Sequence, residues 1–187
     1  MKNARYMLGA LAALATLALA TTAVAAVVIK GTNRDDVLTG TDRNDLIVAR
    51  KGNDTINGLA GNDRIHGNQD NDTIDAGPGN DRAWGGYGND SLAGGEGNDV
   101  LRGRPGDDAL DGGPGNDRLW PGRGADTQNG GDGDDVLHAL AGDRQVDRID
   151  CGAGNDVVWL NATETTDVHV NCETVKTVTV VGDGDDS

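Results

Sequence analysis

The sequence predicts an all-β fold, a parallel β-solenoid with two short strands in each 18-residue coil and a β cap at its C-terminal end. Three observations lead to this prediction. An aspartate recurs at every ninth residue over most of the chain, a glycine usually stands two residues before it, and an aliphatic residue stands two residues after it. A large aromatic core is excluded, because the 187 residues include 30 Gly, three Trp, two Tyr and no Phe.

The first segment, residues 1–25, has the layout of a secretory signal peptide. Lys2 and Arg5 precede an apolar run, Met7–Ala20, and the small residues Ala23-Val24-Ala25 follow it. An uncleaved membrane anchor is the alternative, although a bilayer-spanning helix needs about 20 apolar residues. We therefore expect cleavage after Ala25, secretion to the extracellular space, and no membrane insertion of the mature chain.

The second segment, residues 26–160, contains the repeat. Its aspartates follow one another at intervals of nine residues: Asp36, Asp45, Asp54, Asp63, Asp72, Asp81, Asp90, Asp99, Asp108, Asp117, Asp126 and Asp135. Three extra residues around Leu140–Asp143 shift the phase, after which Asp147 and Asp156 continue it. The glycines two residues before an aspartate are Gly52, Gly61, Gly79, Gly88, Gly97, Gly106, Gly115, Gly124, Gly133 and Gly154.

Each unit predicts a glycine-rich turn followed by a three-residue strand whose central side chain is apolar. One inward residue per strand is too few for a sandwich or a helix bundle, but it suffices when successive strands stack in parallel. The chain must turn back after each strand, so two units make one coil. Alternate aspartates then form two columns, with neighbours about 4.8 Å apart.

The predicted columns require a cation. Carboxylates at this spacing repel by roughly 1 kcal/mol even in water, and acids outnumber bases 31 to 16 over the whole chain. Ca²⁺ takes six to eight oxygen ligands in flexible geometry, and glycine turns expose backbone carbonyls to it. About six to ten Ca²⁺ ions would carry about +12 to +20. The whole chain has a formal charge of −15, which becomes −17 when Lys2 and Arg5 are lost with the signal peptide. The charge of the bound ions would balance this.

The units resemble the nonapeptide G-G-x-G-x-D-x-U-x of RTX (haemolysin-type) calcium-binding proteins, as in Gly94–Arg102, "GGEGNDVLR". The resemblance covers about Gly31 to Trp159. It implies a right-handed parallel β-roll in which the aspartate of each turn, and carbonyls near the glycine two residues before it, bind Ca²⁺. It therefore assigns metal binding to the in-phase aspartates Asp36 to Asp135, to Asp156, and to the glycines Gly52 to Gly133 given above. Several units depart from the pattern, with Arg34, Arg43 and Asp70 at the glycine position.

The third segment, residues 161–187, loses the repeat. Cys172–Val181 reads as one or two strands of a cap, followed by the acidic tail "GDGDDS". For Cys151 and Cys172 a disulfide is favoured over a zinc site, because no histidine cluster supports the metal.

The sequence favours a secreted calcium-binding protein that folds on the ion. The alternative is a calcium-stiffened adhesion or scaffold protein of the cell surface or matrix, with an extracellular protein or glycan as partner. We expect no enzyme activity, because few nucleophiles remain and the carboxylates follow the metal repeat. His66, His138, Trp84, Trp120 and Trp159 all occupy the last position of a unit, which predicts surface ladders. The acidic charge argues against nucleic acid as a partner.

Overall fold

The computed structural model describes residues 26–163 and 166–179. Within them the chain forms seventeen strands and no helix. In chain order the strands are β1 (Val28–Lys30), β2 (Val37–Thr39), β3 (Leu46–Lys51), β4 (Thr55–Asn57), β5 (Arg64–Gln69), β6 (Thr73–Asp75), β7 (Arg82–Tyr87), β8 (Ser91–Ala93), β9 (Val100–Pro105), β10 (Ala109–Pro114), β11 (Arg118–Arg123), β12 (Thr127–Asp132), β13 (Val136–Ala139), β14 (Arg148–Asp150), β15 (Val157–Asn161), β16 (Val168–Val170) and β17 (Thr174–Val178).

The strands alternate between two parallel sheets. The odd-numbered strands form sheet A, in the order β1-β3-β5-β7-β9-β11-β13-β15-β17, and the even-numbered strands form sheet B, from β2 to β16. Strands pair with the strand two further along the chain, so that Ile47 lies beside Ile65 and Ile56 beside Ile74, 18 residues apart. This arrangement is the predicted β-solenoid.

The phase shift predicted at Leu140–Asp143 is confirmed by the register of the later coils. Leu137 pairs with Val158, and Gln128 pairs with Ile149, so each step spans 21 residues. The extra residues fall between β13 and β14. Because they lie in a turn, both sheets continue without interruption.

A single row of inward side chains from each sheet makes the core. The aliphatic residues two positions after the column aspartates are almost fully buried: Ile47, Ile56, Ile65, Ile74, Leu92, Leu101, Leu110, Leu119, Leu137, Ile149 and Val158. Gln128 occupies one such place, only 1% exposed, and its Nε2 donates to the carbonyl of His138 at 3.0 Å. The core is therefore narrow and continuous along the solenoid.

The strands differ in length from the three residues expected. Five strands of sheet A (β3, β5, β7, β9 and β11) and two of sheet B (β10 and β12) span six residues. The extension arises because pairing continues into the turn, where Arg50 lies beside Asn68 and Lys51 beside Gln69. The glycine-rich turns that follow these seven strands are therefore partly strand.

The C-terminal strands continue the solenoid. β16 pairs with β14 and β17 pairs with β15, both in parallel. The predicted disulfide between Cys151 and Cys172 is present. It links the residue that follows β14 to the turn between β16 and β17. The predicted signal peptide, residues 1–25, and the acidic tail lie outside the described residues. Among those described, no helix is long and apolar enough to cross a membrane.

Candidate calcium-binding columns

The acidic residues that precede the strands form two columns along the solenoid. Column I precedes the strands of sheet A and column II those of sheet B. Column I contains Asp45, Asp63, Asp81, Asp99, Asp117, Asp135, Asp156 and Glu173. Column II contains Asp36, Asp54, Asp72, Asp90, Asp108, Asp126, Asp147 and Asp167.

One carboxylate oxygen of every member after Asp36 accepts a backbone N–H from the preceding coil. The backbone N–H of Asp81 donates to Oδ1 of Asp99 at 2.7 Å, and that of Asp99 donates to Oδ1 of Asp117 at 2.7 Å. The same bond recurs down both columns. It fixes the side-chain rotamer and aims the second oxygen, Oδ2, in the same direction at every level.

The second carboxylate oxygen has no hydrogen-bond partner among the described residues over most of each column. The unpartnered Oδ2 atoms, all buried, belong to Asp54, Asp63, Asp72, Asp81, Asp90, Asp99, Asp108, Asp117, Asp126, Asp135, Asp156 and Asp167. A buried charge without a partner is strongly unfavourable. A row of such oxygens is therefore what a column of bound cations would satisfy.

Burial raises the pKa values of these carboxyls. It is the largest cause, opposed by the N–H bond from the preceding coil and reinforced in several cases by column neighbours, as Asp126 and Asp90 do for Asp108. The pKa is raised to about 6 for Asp63, Asp90, Asp99 and Asp135, to about 7 for Asp72, Asp81, Asp117 and Asp126, and to about 8 for Asp108. The metal-free fold thus opposes ionisation of its own columns.

Glycines leave room beside the unpartnered oxygens. A Cβ on Gly58, five residues before Asp63, would lie 2.7 Å from Oδ2 of Asp63 and would overlap the carbonyl oxygen of Ala76 in the next coil. A carboxylate oxygen and a backbone carbonyl oxygen therefore converge on a space that only glycine leaves open. The sequence analysis did not single out this position, although the first glycine of the nonapeptide marks it.

The glycines two residues before the aspartates take the predicted backbone conformation with one exception. Gly97 has φ +126°, and a Cβ there would overlap the carbonyl oxygen of Gly79. Positive φ is shared by Gly52, Gly61, Gly88, Gly106, Gly115, Gly124 and Gly133. Gly79 itself is not in the left-handed region, but a Cβ on it would overlap the carbonyl oxygen of Gly61. Turn carbonyls of neighbouring coils are thus stacked closely beside both columns.

The donor set is that of a hard cation held mainly by backbone oxygens. Among the described residues, no group of three or more His, Cys, Asp or Glu side chains is placed to hold a metal ion. Each level contributes one free carboxylate oxygen and neighbouring carbonyls. This combination fits Ca²⁺, which accepts carboxylate and carbonyl oxygens in irregular geometry, better than Zn²⁺, which is bound by nitrogen and sulfur.

The first member of each column differs from the others. Oδ2 of Asp36 accepts hydrogen bonds from the backbone N–H and the hydroxyl of Thr32, at 2.6 and 2.9 Å. Thr41 makes the same two bonds to Oδ2 of Asp45. These two carboxylates, whose turns carry arginine instead of glycine, have protein partners where the later members have none. The threonines therefore close the N-terminal ends of the columns.

The C-terminal ends of the columns contain residues that the sequence analysis missed. The N–H of Asp147 donates to Oδ1 of Asp167 at 3.1 Å, and the N–H of Asp156 donates to Oε2 of Glu173 at 2.9 Å. The spacings of 20 and 17 residues conceal both from a nine-residue period. Glu173 nevertheless keeps the local pattern of an acid followed two residues later by an aliphatic residue, Val175, which is the signal available in the sequence.

The predicted ladder of aromatic residues is present on the outer face of sheet A. His66 stacks on Trp84 with ring centroids 4.5 Å apart, and His138 stacks on Trp120 at 4.7 Å. Arg102 lies over the other face of Trp120, and Lys176 lies over Trp159. Burial lowers the pKa of His138 to about 4. Histidines held neutral within a stack are placed for packing, and the expected absence of catalysis stays a prediction.

A scan against protein-family profiles finds the RTX calcium-binding nonapeptide repeat, whose profile spans four copies of the unit. It matches residues 30–65, 50–83, 66–101, 84–119, 93–128 and 120–158. These overlapping matches cover both columns as far as Asp156. A search of curated proteins finds no match.

Proposed function

The chain belongs to the family of RTX calcium-binding nonapeptide-repeat proteins, and on this premise we propose that it is a secreted protein whose solenoid folds when several Ca²⁺ ions bind between successive turns. The observation that carries the proposal is the row of buried, unpartnered Oδ2 atoms along columns I and II. The column residues would supply one carboxylate oxygen per level, and the glycine turns would supply carbonyls. Bound Ca²⁺ would supply positive charge that lets all these carboxylates ionise.

The number of ions is proposed from the same rows. A level is one column residue with its turn. The levels of Asp54 in column II and Asp63 in column I are the first that have both an unpartnered carboxylate oxygen and a column neighbour in the next coil. The first level of each column is closed by threonine, and the turn before Asp147 contains Gln145 and Val146 in place of glycine. Discounting those levels retains the estimate of about six to ten ions.

The coupling of folding to calcium is tested on the mature chain, residues 26–187, by circular dichroism and calorimetry. We expect little β structure after removal of divalent ions near neutral pH, and a cooperative gain of β structure on addition of millimolar Ca²⁺. Mg²⁺ is the control ion, because its stricter octahedral geometry and reluctance to dehydrate disfavour a site of stacked carbonyls. Identical spectra with and without Ca²⁺ would reject the coupling.

The second candidate function is that of a calcium-stiffened adhesion or scaffold protein. The observation that favours it is the outer face of sheet A, where all three tryptophans and most of the described basic residues lie. Both faces of the Trp120 ring are already covered, by Arg102 and His138. Attachment through this sheet would therefore depend on its basic residues more than on exposed ring faces.

A further inference from the structure

The two sheets carry opposite charges on their strands. Nine strands of sheet A contain ten basic residues and no acidic residue, whereas the eight strands of sheet B contain one basic and four acidic residues. The basic residues of sheet A are Lys30, Arg50, Lys51, Arg64, Arg82, Arg102, Arg104, Arg118, Arg123 and Lys176. The acidic residues of sheet B are Asp75, Asp111, Asp132 and Asp150. A chain of net charge −15 thus presents one basic face.

Three arginines form a row along one edge of this face. Arg64 and Arg82 lie side by side on β5 and β7, and Arg118 follows on β11, with Val100 of β9 between. All three are exposed, and no described residue forms an ion pair or a hydrogen bond with their guanidinium groups, whereas their backbone N–H groups donate to carbonyls of the preceding coil. Like charges about 4.8 Å apart repel one another. This repulsion opposes folding, and the unpartnered guanidinium donors point to a ligand of opposite charge.

A groove of about 410 Å³ runs beside the arginine row. Its other wall is a ladder of asparagines, Asn44, Asn62, Asn80 and Asn98. Each Oδ1 in the ladder accepts the backbone N–H of the next asparagine along the solenoid, the last of which is Asn116, at 2.7 to 2.9 Å. No described residue accepts a hydrogen bond from their Nδ2 groups. The groove therefore offers guanidinium and amide donors on both sides, a lining that suits a ligand rich in oxygen acceptors.

We propose that this groove binds an anionic polysaccharide, aligned with the solenoid axis. The groove extends across the strands from Leu46 of β3 to Arg118 of β11, a length of about 19 Å, which accommodates several sugar units. Hydroxyls and ring oxygens of sugars match the amide donors, and carboxylate or sulfate groups match the arginines. The binding is a separate property that depends on the calcium-folded state proposed above.

The observations favour a polysaccharide over other polyanions. Duplex DNA carries a charge about every 1.7 Å, far denser than one arginine per coil. Single-stranded nucleic acids bind through exposed aromatic faces, but Trp120 is covered on both sides. Of the exposed large apolar residues, only Val168 and Val170 share a strand, β16, which lies in sheet B and not beside the groove. A second copy of the chain would offer the four acids of sheet B and exposed turn acids such as Glu96 and Asp107, which are separated along the solenoid by uncharged residues.

Calcium and polysaccharide binding should be linked. Asp81 of column I, whose second carboxylate oxygen has no partner, lines the groove. Without bound cations its charge would repel an anionic ligand, and with Ca²⁺ it would be neutralised. The polysaccharide should therefore bind only when Ca²⁺ is present.

The test measures binding of the mature chain to dextran sulfate in millimolar Ca²⁺, with uncharged dextran as the matched polymer. The groove variant is Arg64→Gln with Arg82→Gln. The control is Arg34→Gln with Arg148→Gln, which removes the same charge from a column II turn and from sheet B. We expect dextran sulfate to bind and dextran not to bind. The groove variant should weaken the affinity at least about tenfold and the control less than about twofold, because only the first pair contacts the polymer.

Several results would overturn the proposal. They are an equal loss of affinity in both variants, tighter binding of a duplex DNA oligonucleotide or of anionic vesicles than of dextran sulfate, and binding lost in favour of self-association through the same arginines. Circular dichroism of every sample separates the two proposals. An unfolded wild-type chain in Ca²⁺ would contradict the proposed function, and a folded chain that binds no dextran sulfate would contradict only this one. Should the groove variant not fold, the single change Arg118→Gln gives the same comparison.

Discussion

Sheet A and sheet B are built from the same nine-residue unit and pack on the same core, yet their outer faces differ. The third residue of each sheet A strand, from β1 to β17, reads Lys30, Val48, His66, Trp84, Arg102, Trp120, His138, Trp159 and Lys176. The corresponding residues of sheet B, from β2 to β16, read Thr39, Asn57, Asp75, Ala93, Asp111, Asn129, Asp150 and Val170. The sheet A face carries stacked aromatic and cationic side chains from His66 to Lys176, and the sheet B face carries mostly short polar side chains.

The difference shows which positions the fold constrains. Inward residues are fixed by the narrow core, and turn residues by the carboxylate columns and the stacked carbonyls. Outward residues satisfy neither requirement, so either sheet could carry either set of side chains. Neither the core nor the columns therefore dictate the segregation of bases and aromatic rings to sheet A, whereas the columns, which are alike beside both sheets, serve the fold itself.

The largest expected effect concerns the aspartate columns, which lie beside both sheets. The pKa values of nine column aspartates are raised to about 6 to 8 in the metal-free fold, so the folded chain holds protons that the unfolded chain has released. The cost of this proton uptake to the stability of the metal-free fold is absent below about pH 4 and grows as pH rises towards 8. Metal-free protein should therefore gain β structure, measured by circular dichroism, between about pH 7.5 and about pH 5.

The calcium-loaded protein should respond to pH in the opposite direction, because protonation removes the ligands and releases the ion. Thermal melts in millimolar Ca²⁺ should show a lower melting temperature at the acid end. A metal-free protein that loses β structure on acidification would contradict the raised pKa values of both columns.

The next effect compares the columns directly. Asp90→Ala in column II and Asp99→Ala in column I each remove a carboxylate and leave a buried N–H, of Asp72 or Asp81, without its acceptor. We expect each to lower the free energy of unfolding in Ca²⁺ by about 2–4 kcal/mol, the buried N–H alone accounting for about 1–3 kcal/mol. Chemical denaturation at fixed Ca²⁺ measures it.

The matched control is Glu96→Ala, an exposed acid in the turn between those two aspartates. Its loss should change stability by no more than about 0.5 kcal/mol. If Asp90→Ala and Asp99→Ala differ strongly, the two sheets do not depend equally on calcium. If Glu96→Ala lowers the free energy of unfolding as much as either aspartate substitution, the loss arises from the change in net charge and not from the loss of a metal ligand.

The smallest effect separates the outer faces. Trp120→Ala on sheet A removes a ring held between Arg102 and His138 and should cost about 1–2 kcal/mol. Asn129→Ala on sheet B loses only an exposed bond from its Nδ2 to Oδ1 of Asp111 and should cost no more than about 0.5 kcal/mol. Melting in Ca²⁺ checks both, and equal costs would mean that the stack adds nothing to sheet A.

Much of this architecture could be predicted from periodicity. A nine-residue period with one aliphatic residue predicted the coil, the inward row from Ile47 to Val158, and the aspartates of both columns. It also predicted that Trp84, Trp120 and Trp159 form a surface ladder. Asp167 and Glu173 escaped prediction because they join the columns after turns of irregular length. The hydrogen bonds from Thr32 to Asp36 and from Thr41 to Asp45 escaped prediction, because they replace the proposed contact with a metal ion by a bond within the same turn.

The sequence by itself determined the parallel solenoid, because strands that each contribute one apolar side chain can bury it only by stacking in register. It also determined that acidic side chains would accumulate in two columns, and from these it predicted a bound cation. Only the tertiary structure decided which carboxylate oxygens are left without a partner and which bases line one groove. Both depend on coil-to-coil register, 18 residues in most coils and 21 across the insertion, and on which sheet each strand enters. Those relations join residues that are distant in the chain, so only the folded coils bring them together.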